Sequence, residues 1–534
     1  METNTNYTPV NVVPYKPKPL FELTKSDTAF SVCAVIISII YSIFGIFGGF
    51  SLGYLISNVF LIFMFAFYFK RQSKPQFFST LCGLLALGIN AVFITTTNGS
   101  VRFFSCLISF LLTLLCFDNF INGTSKGNRK TVGIFYSALS TTGNIAVSLK
   151  SLFSSKNGNK QNLGKVLVGI VCAIPVLLVV VPLLISSDDA FRGMMTNIFK
   201  NTFSTIIKAI FGLIFSLFVI SYGFSLKNKR VSKIEKAKFG GIENVYIISF
   251  LSAIGVCYLL YLFSQLAYFF SAFSGFLPKG QITYAGYARK GFFEMCVIAV
   301  INLILVFISL LISKKQKGKA CIPIKILTTF ISIFTLIIIT TAISKMVLYI
   351  NAYGMTVLRL TTSAFMLFLS IVFISIILRI YITKINIIKT ALITAGCIIL
   401  VLGVVNVNSV CAKYNYESYI NGKLKTIDVN ALYNLGDEGI PYIIKLTKSK
   451  DAEILQTSEE YLTQAYLFDY FDNMLDIKDY TLKELKQNQR YNGFSYFSLP
   501  KSKAYNQLYK FAQENPDFIS SHKPIYENRN CEEI

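Results

Sequence analysis

The stretch TAFSVCAVIISIIYSIFGIFGGFSLGYLISNVFLIFMFAFYF, residues Thr28–Phe69, runs for 42 positions without a charged residue. One membrane-spanning helix needs about 20 apolar residues, so this stretch is long enough for two. Gly48 and Gly49 near its centre suit a tight turn between two helices. We therefore expect a helical hairpin that crosses a lipid bilayer twice.

The composition of the whole chain agrees with this expectation. Of its 534 residues, 53% are hydrophobic and 15% are charged, and the mean hydropathy is +0.56. Average proteins carry roughly 25% charged residues. A chain of this composition has too few polar side chains to cover a water-exposed surface, which predicts a protein that crosses the membrane many times.

Eleven apolar runs are long enough to span a bilayer. We expect each to be helical, because lipid offers no partners for unpaired backbone groups. The runs are Thr28–Gly48, Ser51–Phe69, Phe77–Thr95, Phe103–Phe120, Val166–Ser186, Phe203–Leu226, Val245–Phe273, Phe292–Ser313, Ile326–Ile343, Met355–Leu378 and Ile385–Val405. The predicted fold class is an all-α polytopic membrane protein with about eleven transmembrane helices, followed by a small α-helical extracytoplasmic domain.

The cations predict the orientation. The tail at residues 1–27 and every second loop together carry 27 Lys and Arg residues, whereas the alternate loops carry seven. Such an excess is typical of cytoplasmic loops. We therefore expect a plasma-membrane protein with a cytoplasmic amino terminus, a transmembrane domain at residues 28–405 and an extracytoplasmic domain at residues 406–534. The formal net charge of +24 is concentrated in the membrane part, so no nucleic-acid partner is predicted.

One segment leaves two interpretations open. Residues 131–148 are partly apolar, rich in Gly, Ser and Thr, and flanked by basic residues. A span here would move the later lysine clusters to the outside. We interpret the segment as an interfacial helix on the inner leaflet, or else as a loop.

The tail after Val405 has the pattern of a small helical domain. It contains 15 cations and 18 acids, and its periodicity predicts helices over Ala452–Leu475, Asp428–Leu435 and Ile443–Lys448. Its tyrosines fit a small core or a recognition surface, and we favour the core. Cys411 and Cys531 are its only cysteines and allow one disulfide without requiring it.

Ionisable residues and tyrosines collect near the predicted outer ends of the fifth, sixth, eighth and tenth spans. Such residues in or beside spans are candidates for function, because burying a charge in lipid is costly. They are also explained by long side chains that reach the interface and by a belt of aromatic residues. The candidates for a polar site, binding or structural, are Asp188, Asp189, Lys208, Tyr284, Tyr287, Arg289, Glu294, Tyr353 and Arg359.

The sequence gives little support for an enzyme. The chain has no P-loop, and its only histidine is His522, so phosphorelay and triad chemistry lack their usual residues. Two adjacent carboxylates, Asp188 and Asp189, are a weak metal signal. We expect no metal and no cofactor, and an envelope enzyme is a third hypothesis that ranks behind the two functions given below.

Four motifs resemble one protein family. They are ITYAGYARKGFFE at 282–294, YINAYGMTVLRL at 349–360, SSDDAF at 186–191 and NSVCAKYNYESY at 408–419. The chain thereby resembles an uncharacterised bacterial membrane protein family, domain of unknown function 4173, which is related to group 4153. The resemblance implies a bacterial integral membrane protein and no established activity. Tyr284, Tyr287, Arg289, Glu294, Tyr353 and Arg359 match its motifs without assigned roles.

Two functions follow as hypotheses. The first is an envelope-related signalling or regulatory protein that presents its external helical domain to a protein partner. The alternative is a secondary transporter or permease that uses the outer polar site, and Pro175 and Pro182 in the fifth span would suit its broken helix. For Glu294 and Arg359, structural pairing across helices and ligand binding stay open as two equal alternatives. The lipid bilayer is the partner that both functions require.

Overall fold

The computed structural model confirms an all-helical membrane protein. It describes residues 24–70, 76–122, 145, 180, 202–227, 242–274, 292–314, 321–382, 385–465 and 497–515. Within these ranges there are ten helices long and apolar enough to cross a membrane. Each corresponds to one of the predicted runs, and the remaining run, Val166–Ser186, lies outside the described residues apart from Val180.

The ten spans differ in length. The longest is the eighth of the ten, which corresponds to the ninth predicted run. It begins at Ile322 with a proline in its first turn and continues to Tyr353, well beyond the predicted Ile326–Ile343. The helices are α1 Lys25–Ile40, which continues as a π-helical turn Tyr41–Ile46, α2 Leu52–Phe69, α3 Phe77–Thr95, α4 Gly99–Asn122, α5 Thr202–Lys227, α6 Asn244–Ser274, α7 Phe292–Ile312, α8 Ile322–Tyr353, α9 Val357–Tyr381 and α10 Ile387–Val405.

The chain divides into two compact units. In the first, the described residues include 24–39 and 202–227, which contain α1 as far as Ile39 and the whole of α5. Asp27 is buried, and its carboxylate accepts hydrogen bonds from the amide and the hydroxyl of Thr24, each at 2.8 Å. The Lys227 ammonium forms an ion pair with the same carboxylate. This pair joins the start of α1 to the end of α5.

The second unit contains the described residues from Ile40 to Asn122 and from 242 onward. Here α10 packs closely against α3 because α10 has glycine at the contact. A Cβ at Gly403 would lie 2.3 Å from a methyl carbon of Val92, and the Thr95 hydroxyl donates to the Gly403 carbonyl at 2.8 Å. The backbones of the two helices therefore approach each other without an intervening side chain.

Short helices follow the last span with almost no linker. Asn406 alone separates α10 from the next helix, and its φ of 58° turns the chain sharply. The later helices are α11 Val407–Ile420, α12 Val429–Tyr433, a 3₁₀ turn Gly436–Glu438, α13 Ile440–Leu446, α14 Ala452–Gln464 and α15 Leu499–Glu514. The helix predicted at 428–435 is found shorter, as Val429–Tyr433, and the one predicted at 443–448 begins three residues earlier, as Ile440–Leu446.

These C-terminal helices share one apolar core. Leu432, Ile443, Leu462 and Leu508 are buried in it, one each from α12, α13, α14 and α15. Several tyrosines pack on its edge half-buried, as the core interpretation expected. A helix that buries one apolar stripe in this way needs its neighbours for stability, so the C-terminal helices fold as a group.

Cys411 lies buried in α11 as a free thiol. Burial raises the pKa of this thiol to about 12, against a smaller opposing effect of the Arg359 charge. Cys531 lies outside the described residues. The predicted helix beyond residue 465, and the segment 131–148 apart from Ile145, lie outside them as well.

Candidate functional site

A buried carboxylate joins the spans to the C-terminal helices. Glu438, at the end of the 3₁₀ turn, is 5% exposed. It accepts hydrogen bonds from the amide of Thr97 at 3.1 Å and from the Thr97 hydroxyl at 2.7 Å. The side-chain amides of Asn406 and Asn408 donate to it at 2.9 and 3.5 Å. A buried carboxylate needs donors of this kind, because losing hydration without replacement is costly.

The donors to Glu438 are held by local structure at two helix boundaries. Thr97 lies in the turn between α3 and α4, where the Asn98 side chain caps α4 by accepting from the Val101 amide at 3.0 Å. Asn406 caps α11, accepting from the Ser409 amide at 3.2 Å. Asparagine tolerates positive φ better than most residues, which explains its place in this sharp turn.

Arg102, a cation near Glu438, is held in place by hydrogen bonds to backbone carbonyls. The Arg102 guanidinium donates to the carbonyls of Thr96 at 2.8 Å and Phe93 at 3.3 Å, which lie at the end of α3. Lys501 in α15 lies in the same area. Partial burial lowers the pKa of Lys501, the carboxylate of Asp437 opposes this shift, and the Arg102 charge adds to it. Two cations and two carboxylates therefore share this end of the spans.

A third attachment involves α2. The amide of Leu52, the first residue of α2, donates to the Phe497 carbonyl at 3.3 Å, just before α15 begins. Together with the Glu438 contacts, this bond attaches the C-terminal helices to the start of α2, the α3–α4 turn and the end of α10. We call this set of contacts the junction.

The turn between α8 and α9 is held by Arg359 and by α11. Arg359 donates to the carbonyls of Tyr353, at 3.2 Å, and Gly354, and its guanidinium lies 4.0 Å from the centre of the Tyr349 ring. The Asn415 side chain forms two hydrogen bonds with the backbone of Met355. It accepts one from the amide at 2.7 Å and donates one to the carbonyl at 2.8 Å. Arg359 here donates to carbonyls at the end of a helix that have no partner within the helix.

The structure brings some of the predicted site residues together. Glu294 is exposed in the first turn of α7, at the same end of the bundle as Tyr353 and Arg359. Glu294 and Arg359 form no ion pair, so a structural link between α7 and α9 is not present between these two described residues. Glu294 instead acts electrostatically on the Lys345 ammonium of α8, two turns before Tyr353.

The other candidates are not brought into this group by the described residues. Lys208 lies in α5, in the first unit. Asp188, Asp189, Tyr284, Tyr287 and Arg289 lie outside the described residues. A site shared by all nine residues stays a prediction.

A polar chain in the middle of three spans was missed from the sequence. Asn302, fully buried near the centre of α7, accepts from the Tyr258 hydroxyl of α6 at 2.5 Å and donates to the Thr335 hydroxyl of α8 at 2.9 Å. The Tyr258 ring stacks on Phe334 at 4.1 Å. None of these residues is charged at neutral pH, so a search for ionisable groups passes over them. An Asn inside a 21-residue apolar run was the available signal.

A buried cation lies at the opposite ends of the spans. Lys389, in the first turn of α10, donates to the Asn119 side chain at 3.1 Å and lies 4.2 Å from the centre of the Phe78 ring. Asp118, also buried, adds electrostatic attraction. The pattern is that of a packing contact between α3, α4 and α10.

Within the described ranges, no group of three or more His, Cys, Asp and Glu residues has the arrangement of a metal site.

These features define a class of protein: an integral membrane protein with many spans, whose C-terminal helices are packed onto the ends of its transmembrane bundle. The family described as Domain of unknown function (DUF4153) matches residues 55–446, and the chain belongs to this family. The predicted relationship to group 4153 is thereby confirmed. The matched region includes Glu438 and its described donors Thr97, Asn406 and Asn408. Neither a curated protein nor a solved structure shows significant similarity to the chain.

Proposed function

We propose that this protein is a signalling or regulatory membrane protein, in which the C-terminal helices bind a protein partner and pass the bound state to the spans through the junction. The observation that carries the proposal is the burial of Glu438 between both parts. A displacement of the 3₁₀ turn breaks hydrogen bonds to Thr97 and Asn406 together, so the turn and the span ends must move together.

The orientation of the chain is part of the proposal. The excess of cations in alternate loops supports a cytoplasmic amino terminus, with the junction on the outer side of a plasma membrane. A partner would then belong to the cell envelope. The motif at 282–294 also supports a closer relationship to domain of unknown function 4173, with bacterial origin.

A test in the native cell uses Glu438→Gln, with Glu417→Gln as a matched control. Glu417 is 55% exposed on α11, and its one ion pair among the described residues is with Lys413, so its substitution leaves the junction unchanged. We expect cells with Glu438→Gln to reproduce the transcript profile of a deletion strain, although the protein reaches the membrane. Glu417→Gln should match the wild type.

A second variant separates signalling from stability. Ile420, at the end of α11, is exposed, so Ile420→Arg should fold normally while altering the surface offered to a partner. A photo-crosslinker at Ile420 should capture a defined protein, and one at the exposed Phe63 of α2 should capture lipid. Wild-type transcript profiles in both Glu438→Gln and Ile420→Arg cells would contradict the proposal.

Secondary transport is the second candidate function, with the polar site near the outer ends of the predicted fifth, sixth, eighth and tenth spans. The chain of Tyr258, Asn302 and Thr335 supports it, because polar groups at mid-membrane are typical of substrate pathways. Purified protein in proteoliposomes would be tested with mixtures of amino acids, sugars and inorganic ions. Uptake that is lost in Asn302→Leu would favour transport, and no uptake of any mixture would count against it.

A further inference from the structure

Two apolar side chains are exposed where α15 begins. Phe497 is 40% exposed and Leu499 is 54% exposed, whereas Ser498 and Pro500 are buried. Ser498 has an extended backbone, with φ −141° and ψ 150°. In extended chain, alternate side chains project to the same side, so Phe497 and Leu499 face one way while their neighbours face the core.

The position of this pair relative to the spans is set by a backbone hydrogen bond. The Leu52 amide donates to the Phe497 carbonyl at 3.3 Å, so Phe497 lies beside the first residue of α2. The face of α2 that carries Phe60, Phe63 and Phe67 is exposed, as a lipid-contacting face must be. The exposed pair therefore lies beside the first residue of a helix that carries such a face further along its axis.

The hairpin turn before α2 adds to this surface. Phe47 and Phe50 are both exposed there, and Phe50 has a positive φ of 50°, which is rare for a residue with a large side chain. Its ring packs against Tyr54 at 5.2 Å. Aromatic and aliphatic side chains thus surround the start of α2 on both segments that meet there.

A cation lies on the same side of α15. Lys503 is exposed one turn after Leu499, on the same face of the helix. Apolar side chains next to an exposed lysine form the pattern of a segment that lies in the interfacial layer of a bilayer. The lysine can reach headgroup phosphates while its neighbours contact acyl chains.

We propose that the first turn of α15 is embedded in the bilayer interface, with Phe497 and Leu499 among the acyl chains and Lys503 at the phospholipid phosphates. The partner is the lipid surface. The C-terminal helices would then be attached to the membrane at a point far along the chain from α10, in addition to the junction. This inference is independent of the proposed function.

Because the sequence contains no tryptophan, the fluorescence of an introduced tryptophan reports on that one position. Leu499→Trp places a single reporter in the first turn. Gln513→Trp is the matched control, exposed on the same helix and about 21 Å further along its axis. Each full-length variant is reconstituted in phosphatidylcholine vesicles with and without brominated acyl chains. We expect bromine to quench Leu499→Trp emission by roughly half or more, and Gln513→Trp emission much less.

Equal quenching of the two reporters would overturn the proposal. Phe497→Trp serves as a second reporter in case Leu499→Trp does not fold, and it should behave in the same way. In the Leu499→Trp background, Lys503→Glu should weaken quenching in vesicles that contain phosphatidylglycerol, because the new carboxylate faces anionic headgroups. Unchanged quenching there would overturn the part assigned to Lys503.

Discussion

Thr97 and Glu438 lie 341 positions apart in the chain, yet both hydrogen-bond donors of Thr97 bind the one carboxylate of Glu438. The contact joins a turn between two spans to a 3₁₀ turn among the C-terminal helices. Because the amide of Thr97 belongs to the backbone, only substitution by proline would remove it, and proline would also constrain the backbone of the turn. The contact between Thr97 and Glu438 is therefore best tested by substituting Glu438.

Glu438→Gln should destabilise the protein by about 1–3 kcal/mol, because the new amide group presents hydrogens to donors that need an acceptor. Glu417→Gln, on the surface, should change the unfolding free energy by less than about 0.5 kcal/mol. Equilibrium unfolding in mixed micelles measures both. Equal stability of the two variants would show that Glu438 contributes no more than a surface carboxylate.

Gly403→Ala should destabilise the contact between α10 and α3 by about 1–3 kcal/mol, since its methyl group would overlap the Val92 side chain. Adding Val92→Ala should restore part of the loss, because the smaller side chain leaves space. Gly99→Ala is the control, as no atom lies within 4 Å of a Cβ there. A double variant whose losses simply add would contradict the close approach.

Tyr258→Phe should cost about 0.5–2 kcal/mol, because Asn302 loses its donor within the membrane while the ring stacking on Phe334 remains. Tyr246→Phe on the same helix is the control, since Tyr246 is exposed. The unfolding midpoints of the two variants, measured side by side, test the difference. No difference would mean that the Asn302 oxygen finds another donor.

Cys411 should resist a water-soluble maleimide at pH 8 in the folded protein and react on unfolding. The thiolate is the reactive form, and the pKa of about 12 leaves almost none of it at that pH. The same shift makes stability fall as pH rises above about 8.5, because the unfolded thiol ionises there and the folded one does not. Rapid labelling of folded protein, read by mass spectrometry of the Cys411 peptide, would contradict the assigned burial.

The spans were predictable because each is a long apolar run, and in lipid such a run has only the helix available. The junction was not predictable. Glu438 stands in GDEG, residues 436–439, which suits an exposed turn, and its partners come from distant turns. Arg359 was found as a candidate, but its contacts with the carbonyls of Tyr353 and Gly354 depend on how the chain turns at Gly354. The sequence predicts that a charged residue lies near a helix end. The atoms that this residue contacts depend on how the helices pack.

The single residue between α10 and α11 has a mechanical consequence. With only Asn406 between them, the C-terminal helices have no tether on which to move away from the bilayer. A molecule that binds them loses one dimension of diffusion and travels laterally with the transmembrane bundle. Encounters between two such complexes are then governed by their density per area of membrane, not by their concentration in the surrounding water.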